Sequence, residues 1–352
     1  MMSKPQPTKT EILERIKAAR NKLGSDLVIL AHFYQMDDII RSADFIGDSL
    51  QLAQAASKQK DAHYIIFCSV SFMAEMARII CRPEQIVFHP ETKARCPLAE
   101  MANIDDVEKA WGALEKTGKR IIPVVYVNSN ADLKAFCGKN EGLVCTSANA
   151  RKVMEQVYSR NAIPFFFPDE NLGRNMAHTM GISDEEMFLW DPYETDGVRN
   201  RASMNNARIF LWRGFCIVHT IILPSHVEAI RRQYEGIKVI VHPECIPDTV
   251  NVSDLAGSTS FIKNTVEKSA PGSSWAIGTE INFVNRIKKE NPDKLIIPLL
   301  GSGCREMAKI TPEKLLRVLE NLVEGRAVDP VLVDGTYTEH ARLALKRMLE
   351  IK

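Results

Sequence analysis

Eight cysteines and eight histidines are spread along 352 residues, and their spacing decides what chemistry they can support. No two cysteines form a CxxC or CxxxxC pair, which excludes zinc-finger and ribbon sites. Three of them, Cys96, Cys216 and Cys304, each follow the last short apolar run of a longer segment. A metal held by these three must gather its ligands from distant parts of the chain. Three thiolates suit zinc completed by histidine or water. They equally suit three irons of a four-iron cluster whose fourth iron stays open as a Lewis acid. Spacing leaves both readings standing.

Two other patterns carry proton chemistry. His32 and Tyr34 follow an apolar run, share one side of the extended chain, and could move protons or donate to an oxyanion. His242 and Glu244 share a side in the same way, and a carboxylate beside an imidazole can be tuned into a general base. The tripeptide HPE also occurs at His89–Glu91, so it is weak alone, and His89 is expected in a structural turn. His219, three residues after Cys216, puts an imidazole near any metal or serves as a core histidine. Ser49, Ser147 and the pair Ser258–Thr259 stand where a run gives way to an amphipathic stretch. Such residues cap helices, and together with exposed helix amides they also read phosphates and carboxylates. Asp169, Glu170 and Glu280 fall at similar places and are expected to be structural hydrogen-bonders. Cys68 and Cys145 read as small buried hydrophobes, Cys245 as a bystander, and Cys81 and Cys137 carry no argument.

Short runs rich in Val, Ile and Phe alternate with amphipathic stretches, the pattern of parallel sheets flanked by helices. Three stretches follow one plan: LVILAHFYQ to Cys96, IIPVVYVNSN to Cys216, and IKVIVHPE to Cys304. Each has a Ser/Thr loop after its first run, and a helix is expected after each closing cysteine, near Asp105, Pro224 and Pro312. The middle stretch carries a polar surface insertion around Asp191 to Asn206. The expected fold class is therefore α/β, with three similar α/β/α domains built on short parallel sheets. If the three are arranged in a ring, their carboxyl-end loops can face a common centre. The expected domains are 1–95 with 305–352, 96–215, and 216–304, the C-terminal helices returning to pack on the first domain.

With 45% hydrophobic and 25% charged residues, disorder is excluded. The net charge of +1 gives no electrostatic footprint for nucleic acid or a membrane surface. The polar start of the chain has no apolar stretch of a secretion signal, so a cytoplasmic location is expected.

The motifs AHFYQ, ADFIGDSLQLA, FMAEMA, YVNSNADLKA, TSANA, PDENLGRN, HPE, GSTSFI and GTEINFVNRI together resemble the quinolinate synthase family, from Leu27 to about Gly325. The resemblance implies a [4Fe–4S] cluster held by Cys96, Cys216 and Cys304 at the centre of three α/β domains arranged with pseudo-threefold symmetry. It implies condensation of iminoaspartate with dihydroxyacetone phosphate to quinolinate, with loss of phosphate and water, for NAD synthesis. Coupling to an iminoaspartate-producing enzyme follows as a possible partnership. Glu244 is implied as acid/base at the open iron, Tyr34 as an aid to proton transfer, and His219 as a proton-shuttling histidine at the substrate. Substrate contacts are implied for His32, Ser49, Tyr126, Asn128, Ser147, His242, Ser258 and Thr259. Some family members carry CxxCxxC at the last ligand; this chain has Pro298 and Gly301 at the first two positions, so a redox switch built on that motif is absent.

Overall fold

A computed structural model describes residues 7–194 and 201–351, with the side chains of 201 and 202 left aside. Part of the middle insertion, residues 195–200, and the first six residues lie outside the described residues. The strands are β1 (Leu27–His32), β2 (Phe45–Gly47), β3 (Tyr64–Cys68), β4 (Ile86–Phe88), β5 (Ile121–Tyr126), β6 (Leu143–Cys145) and β7 (Ile163–Phe167). They continue with β8 (Met187–Trp190), β9 (Ile209–Trp212), β10 (Lys238–Val241), β11 (Leu255–Ala256), β12 (Ser274–Gly278) and β13 (Leu295–Pro298). Three sheets result, ordered β2-β1-β3-β4, β6-β5-β7-β9-β8 and β11-β10-β12-β13. Every pairing in them is parallel. The first and third sheets share one order, and the middle sheet adds one strand, so the α/β class and the threefold repetition of one plan are present.

The expected helices after the cysteines are Ile104–Glu115, Pro224–Gln233 and Pro312–Val323. Their starts follow local chemistry. Asn103 accepts from the Asp106 amide, Thr311 from the Lys314 amide, and proline occupies the first turn of the helices that begin at Pro224 and Pro312. The edge strands β2, β6, β8 and β11 are not among the expected runs. They have two to four residues, and those of β2 and β11 are largely exposed, so no periodic apolar signal marks them. The chain just ahead of the middle insertion adds β8 to the sheet edge beside β9, and the insertion's last described residues form the short helix Arg201–Asn206.

By their contacts the residues form two compact units. The first runs to Arg95 and includes Arg305–Leu332. Its core sets Ile12 and Ile16 of the first helix and Leu315 and Leu319 of the Pro312–Val323 helix against Ile29 of β1 and Ile66 of β3. The second unit takes Cys96–Cys304 with residues from Val333 onward and carries the other two sheets.

One expectation is corrected here. Residues 305–332 do pack with the first sheet, but the last helix, Gly335–Glu350, lies on the helix Ala131–Lys139 of the second unit. The cause is legible in that partner helix. Ala131, Leu133, Lys134, Ala135, Phe136, Cys137 and Gly138 are all buried, so it is covered on more than one face. The last helix contributes Ala341, Ala344, Leu345 and Met348 to the covering layer. Its backbone comes so close at Gly138 that a Cβ there would sit 1.9 Å from the His340 carbonyl oxygen.

Candidate active site

A short device recurs where apolar runs end in histidine. In all three cases the imidazole Nδ1 accepts the backbone N–H two residues on: Tyr34 to His32 at 3.2 Å, Glu91 to His89 at 3.3 Å, and Glu244 to His242 at 3.3 Å. The turn fixes Nε2 in each case. At His89 that nitrogen meets the Ser69 carbonyl at 2.6 Å, so His89 is a buried structural histidine, as expected. At His242 it meets a side chain, the Ser147 hydroxyl, at 3.2 Å.

In the first unit His32 ends β1 and is buried, with the half-buried Tyr34 ring edge-on at 4.6 Å. Ser49 opens the helix Ser49–Lys58, but the cap is Asp48, which accepts from the Gln51 amide at 3.0 Å. The Ser49 hydroxyl is thereby left to other work and lies 3.9 Å from the Met73 sulfur.

The second unit assembles the denser cluster. Glu244, 3% exposed, places Oε2 2.8 Å from His219 Nδ1 and 3.2 Å from His242 Nδ1. The two imidazoles stack at 4.3 Å with planes 19° apart. His219 Nε2 reaches the Thr279 hydroxyl at 2.9 Å. Ser147, His242, Glu244, His219 and Thr279 thus form a continuous chain of polar groups, buried from His242 to Thr279 with Ser147 half-buried at one end. Burial pushes the Glu244 carboxyl up, but the neighbouring His242 and His219 outweigh it and hold the carboxyl below its ordinary range. Burial and the His242 ring both push His219 down, favouring the neutral imidazole. A neutral ring here is best placed with its proton on Nδ1, toward the carboxylate, and its lone pair on Nε2, toward the threonine hydroxyl.

Sequence reasoning set Asp169 aside, yet it belongs to this neighbourhood. It follows β7, is fully buried, and caps the helix Glu170–Thr179 by accepting from the Leu172 amide at 2.7 Å. Burial, and then the Glu244 charge, push its carboxyl well above the usual range. The motif PDENLG flagged its position at a strand end, but only tertiary structure shows the coupling to Glu244.

The remaining expected contacts separate by role. Ser258 caps the helix Thr259–Lys268, accepting from Phe261 at 3.3 Å, so there the plain capping role is real; Thr259 is buried in the first turn. Tyr126 ends β5 and is buried, and Asn128 is half-buried two residues on. Beneath that loop the buried Lys134 ammonium donates to the Ser129 carbonyl and, at 3.2 Å, to its hydroxyl. Ser129 in turn donates to the Tyr126 carbonyl at 2.9 Å, which fixes the loop's backbone.

The eight cysteines divide by exposure. Cys68, Cys81, Cys137, Cys145 and Cys245 are buried, while Cys96, Cys216 and Cys304 are half-buried. Burial pushes Cys68 up to about 12, as expected for a thiol acting as a small hydrophobe, and Cys81 up to about 11. Cys96 is pushed up to about 12 by burial and by the charges of Cys304 and Glu244, so these three groups lie within electrostatic reach of one another. Cys216 is raised by burial, then by Glu244, Cys96 and Asp169. Backbone amides oppose this, Ala99 and Leu98 donating to the Cys96 sulfur and Val218 to the Cys216 sulfur. Cys216, His219 and Glu244 also present donor atoms within 4.8 Å of one another. Three thiols that repel one another as anions, each with amide donors or acid neighbours in reach, are a site for a cation. Glu244 Oε1 and Asp169 Oδ2, buried with no hydrogen-bond partner among the described residues, are further acceptors in the same neighbourhood. The donor set fits a thiolate-bound metal group.

Parallel α/β sheets with thiol, imidazole and carboxylate groups on their carboxyl-end loops define a candidate metal-dependent enzyme. Comparison with known proteins narrows the class. The family model of Quinolinate synthetase A protein (NadA) matches residues 14–350. The quinolinate synthase of Geobacillus kaustophilus (strain HTA426) is 44% identical over 346 residues, covering 97% of this chain and 94% of that protein. The one from Acidobacterium capsulatum is 45% identical over 346 residues, covering 96% and 92%, and the one from Rhodopirellula baltica is 42% identical over 358 residues, covering 97% and 91%. The chain belongs to the quinolinate synthase family and is an enzyme.

Proposed function

We propose that this enzyme condenses iminoaspartate with dihydroxyacetone phosphate to form quinolinate, releasing phosphate and water, in NAD biosynthesis. The observation that carries the reading is the buried Glu244 carboxylate held between two stacked imidazoles beside Cys216. Cys96, Cys216 and Cys304 would hold a [4Fe–4S] cluster, leaving the fourth iron as a Lewis acid for an oxygen of substrate. The neighbouring His242 and His219 hold Glu244 as the carboxylate, the form in which we assign it the acid/base role. His219, with its proton on Nδ1 toward Glu244 and its lone pair on Nε2 toward Thr279, can relay protons to that carboxylate. His242, tied to Ser147, and the Tyr126–Asn128 loop are assigned to substrate, as are Ser258 and Thr259. His32 and Ser49 keep the substrate contacts, and Tyr34 the proton-transfer role, that the family's motifs assign them. Small anionic substrates suit the near-zero net charge, which offers nothing to nucleic acid. We place the enzyme in the cytoplasm, in keeping with eight cysteines of which none forms a disulfide. No described helix is long and apolar enough to cross a membrane.

The test is quinolinate formation, read by mass spectrometry, from anaerobic protein carrying measured iron and sulfide. Product should appear with both substrates and vanish when either is omitted. No product from a sample holding iron and sulfide would leave the ligands standing and return the chemistry to another cluster-dependent dehydration. Alanine at Cys96, Cys216 or Cys304 should each lose the cluster absorbance, while Cys68→Ala and Cys145→Ala should keep it. Full iron and activity in Cys304→Ala would overturn the ligand assignment.

A further inference from the structure

The three cysteines sit on loops that share no secondary structure, yet a rigid cluster tolerates little error in their spacing. What sets that spacing is visible in two buried side chains that are not themselves ligands. Ser302, two residues before Cys304, is 4% exposed. Its hydroxyl donates at 2.7 Å to the carbonyl of Val218, two residues after Cys216. Its own carbonyl accepts the Ile281 amide at 2.8 Å, which anchors the loop to the first turn of the helix Ile281–Glu290. The capping residue of that helix, Glu280, also takes the Cys304 amide, while accepting from Phe283 at 3.1 Å and Asn282 at 3.0 Å. Val218 is itself used twice, because its amide donates to the Cys216 sulfur. The contact therefore runs from one ligand loop to the residue whose amide cradles the other ligand's sulfur.

The Cys96 segment is tied to the same loop by a different group. Trp212, fully buried at the end of β9, donates its indole N–H at 2.9 Å to the carbonyl of Met101, five residues after Cys96. The Phe215 amide lies 3.3 Å from the Met101 sulfur, directly before Cys216. At Gly214 the approach is tight enough that a Cβ would stand 3.4 Å from the Met101 Cβ and 2.2 Å from the Pro168 carbonyl oxygen.

We infer that Ser302 and Trp212 are positioning residues that pre-set the spacing of the three cysteine loops around the Cys216 segment before any metal binds. The inference rests on the proposed three-cysteine ligation. Each contact is one buried hydrogen bond between loops, so losing it should loosen the spacing without unfolding the sheets. A loosened site still binds the cluster but releases it faster to a chelator or to oxygen.

The experiment compares wild type, Ser302→Ala, Ser302→Thr, Trp212→Phe and, as a control on the opposite end of the chain's chemistry, Cys68→Ser. Each is reconstituted anaerobically and scored for iron and sulfide, for melting temperature without metal, and for the rate at which the visible absorbance decays in a ferrous chelator. Ser302→Ala and Trp212→Phe should lose the cluster about 10- to 100-fold faster than wild type, the usual cost of removing an outer partner of a metal site. Ser302→Thr, which keeps the hydroxyl, should restore the wild-type rate. Decay at the wild-type rate in Ser302→Ala, at full iron content, overturns the inference while leaving the ligation intact. So does a Ser302→Ala decay matched by a fall in metal-free melting temperature that Ser302→Thr does not rescue. A wild type that takes up no iron or sulfide instead removes the three-cysteine reading itself.

Discussion

Glu244 shows how a site residue is made from its neighbours. On sequence it was one residue of a weak tripeptide that occurs twice, and its match to the family's motif and its place in the repeat separated it from Glu91. The structure gives the physical difference. Glu91 is paired with Lys314 at 2.6 Å, whereas Glu244 has two imidazoles within 3.2 Å and is all but sealed from water. Replacing Glu244 with Gln should keep iron and sulfide while lowering turnover about 10²- to 10⁴-fold, the range of a positioned proton-transfer group. Undiminished turnover in a fully loaded Glu244→Gln enzyme would end its acid/base role. Glu280 invites a different measurement. Burial pushes its carboxyl up to about 7 from an ordinary 4.5. Between those values the folded chain holds a proton that the unfolded chain releases, so this group's contribution to stability is lost as pH rises through the window. Glu280→Gln removes that loss. The melting temperature of the metal-free variant, relative to wild type, should therefore rise from pH 5 to pH 8; an unchanged difference would refute the shift. The residues legible in advance were those with distinctive chemistry: the cysteines, the histidines and Glu244. Thr279 and Asp169 were not, because a threonine or a capping aspartate gains its role only from what folds against it.

At the scale of elements, the long apolar runs were readable because β1, β3, β5, β7, β10 and β12 are buried on both faces and carry β-branched and aromatic residues. The short strands β2, β6, β8 and β11 were not, since two to four residues are too few to carry a period and those of β2 and β11 are largely exposed. The last helix was readable as a helix but not in its destination, because amphipathicity says that a face is covered and not by what. Gly138 tests that destination. With the His340 carbonyl where a Cβ would go, Gly138→Ala forces the two helices apart and should cost about 1–3 kcal/mol, as overpacking does. Gly112, in the helix Ile104–Glu115, has nothing within 4 Å of its missing Cβ. Gly112→Ala should instead hold or gain up to about 1 kcal/mol from helix propensity. Denaturant melts of the two variants check the contrast, and equal effects would show that the close approach at Gly138 carries no weight.

The chain as a whole repeats one plan three times, yet its contacts gather it into two units, with the last helix built into the unit that contains Cys96, Cys216 and Cys304. This assigns the C-terminus a stability role that the sequence reading placed elsewhere. The helix covers Ala131–Lys139, adds the Arg347 guanidinium to the Gly142 carbonyl at 2.8 Å, and so braces the turn between that helix and β6. Beyond β6 lies Ser147, which holds His242. Truncation before Gly335 should therefore be felt within the second unit. Hydrogen exchange should speed up along Ala131–Lys139 and β6, where the brace is lost, while amides of β1, β3 and the helix Lys9–Leu23 keep their protection, since their core is built from Pro312–Val323 instead. The same truncation should raise KM more than it changes iron content, because it loosens the loops that carry Tyr126 and Ser147 and leaves the cysteine loops tied by Ser302 and Trp212. Equal loss of protection in both units would mean that the chain opens as one cooperative body and that the last helix supports no particular part of it.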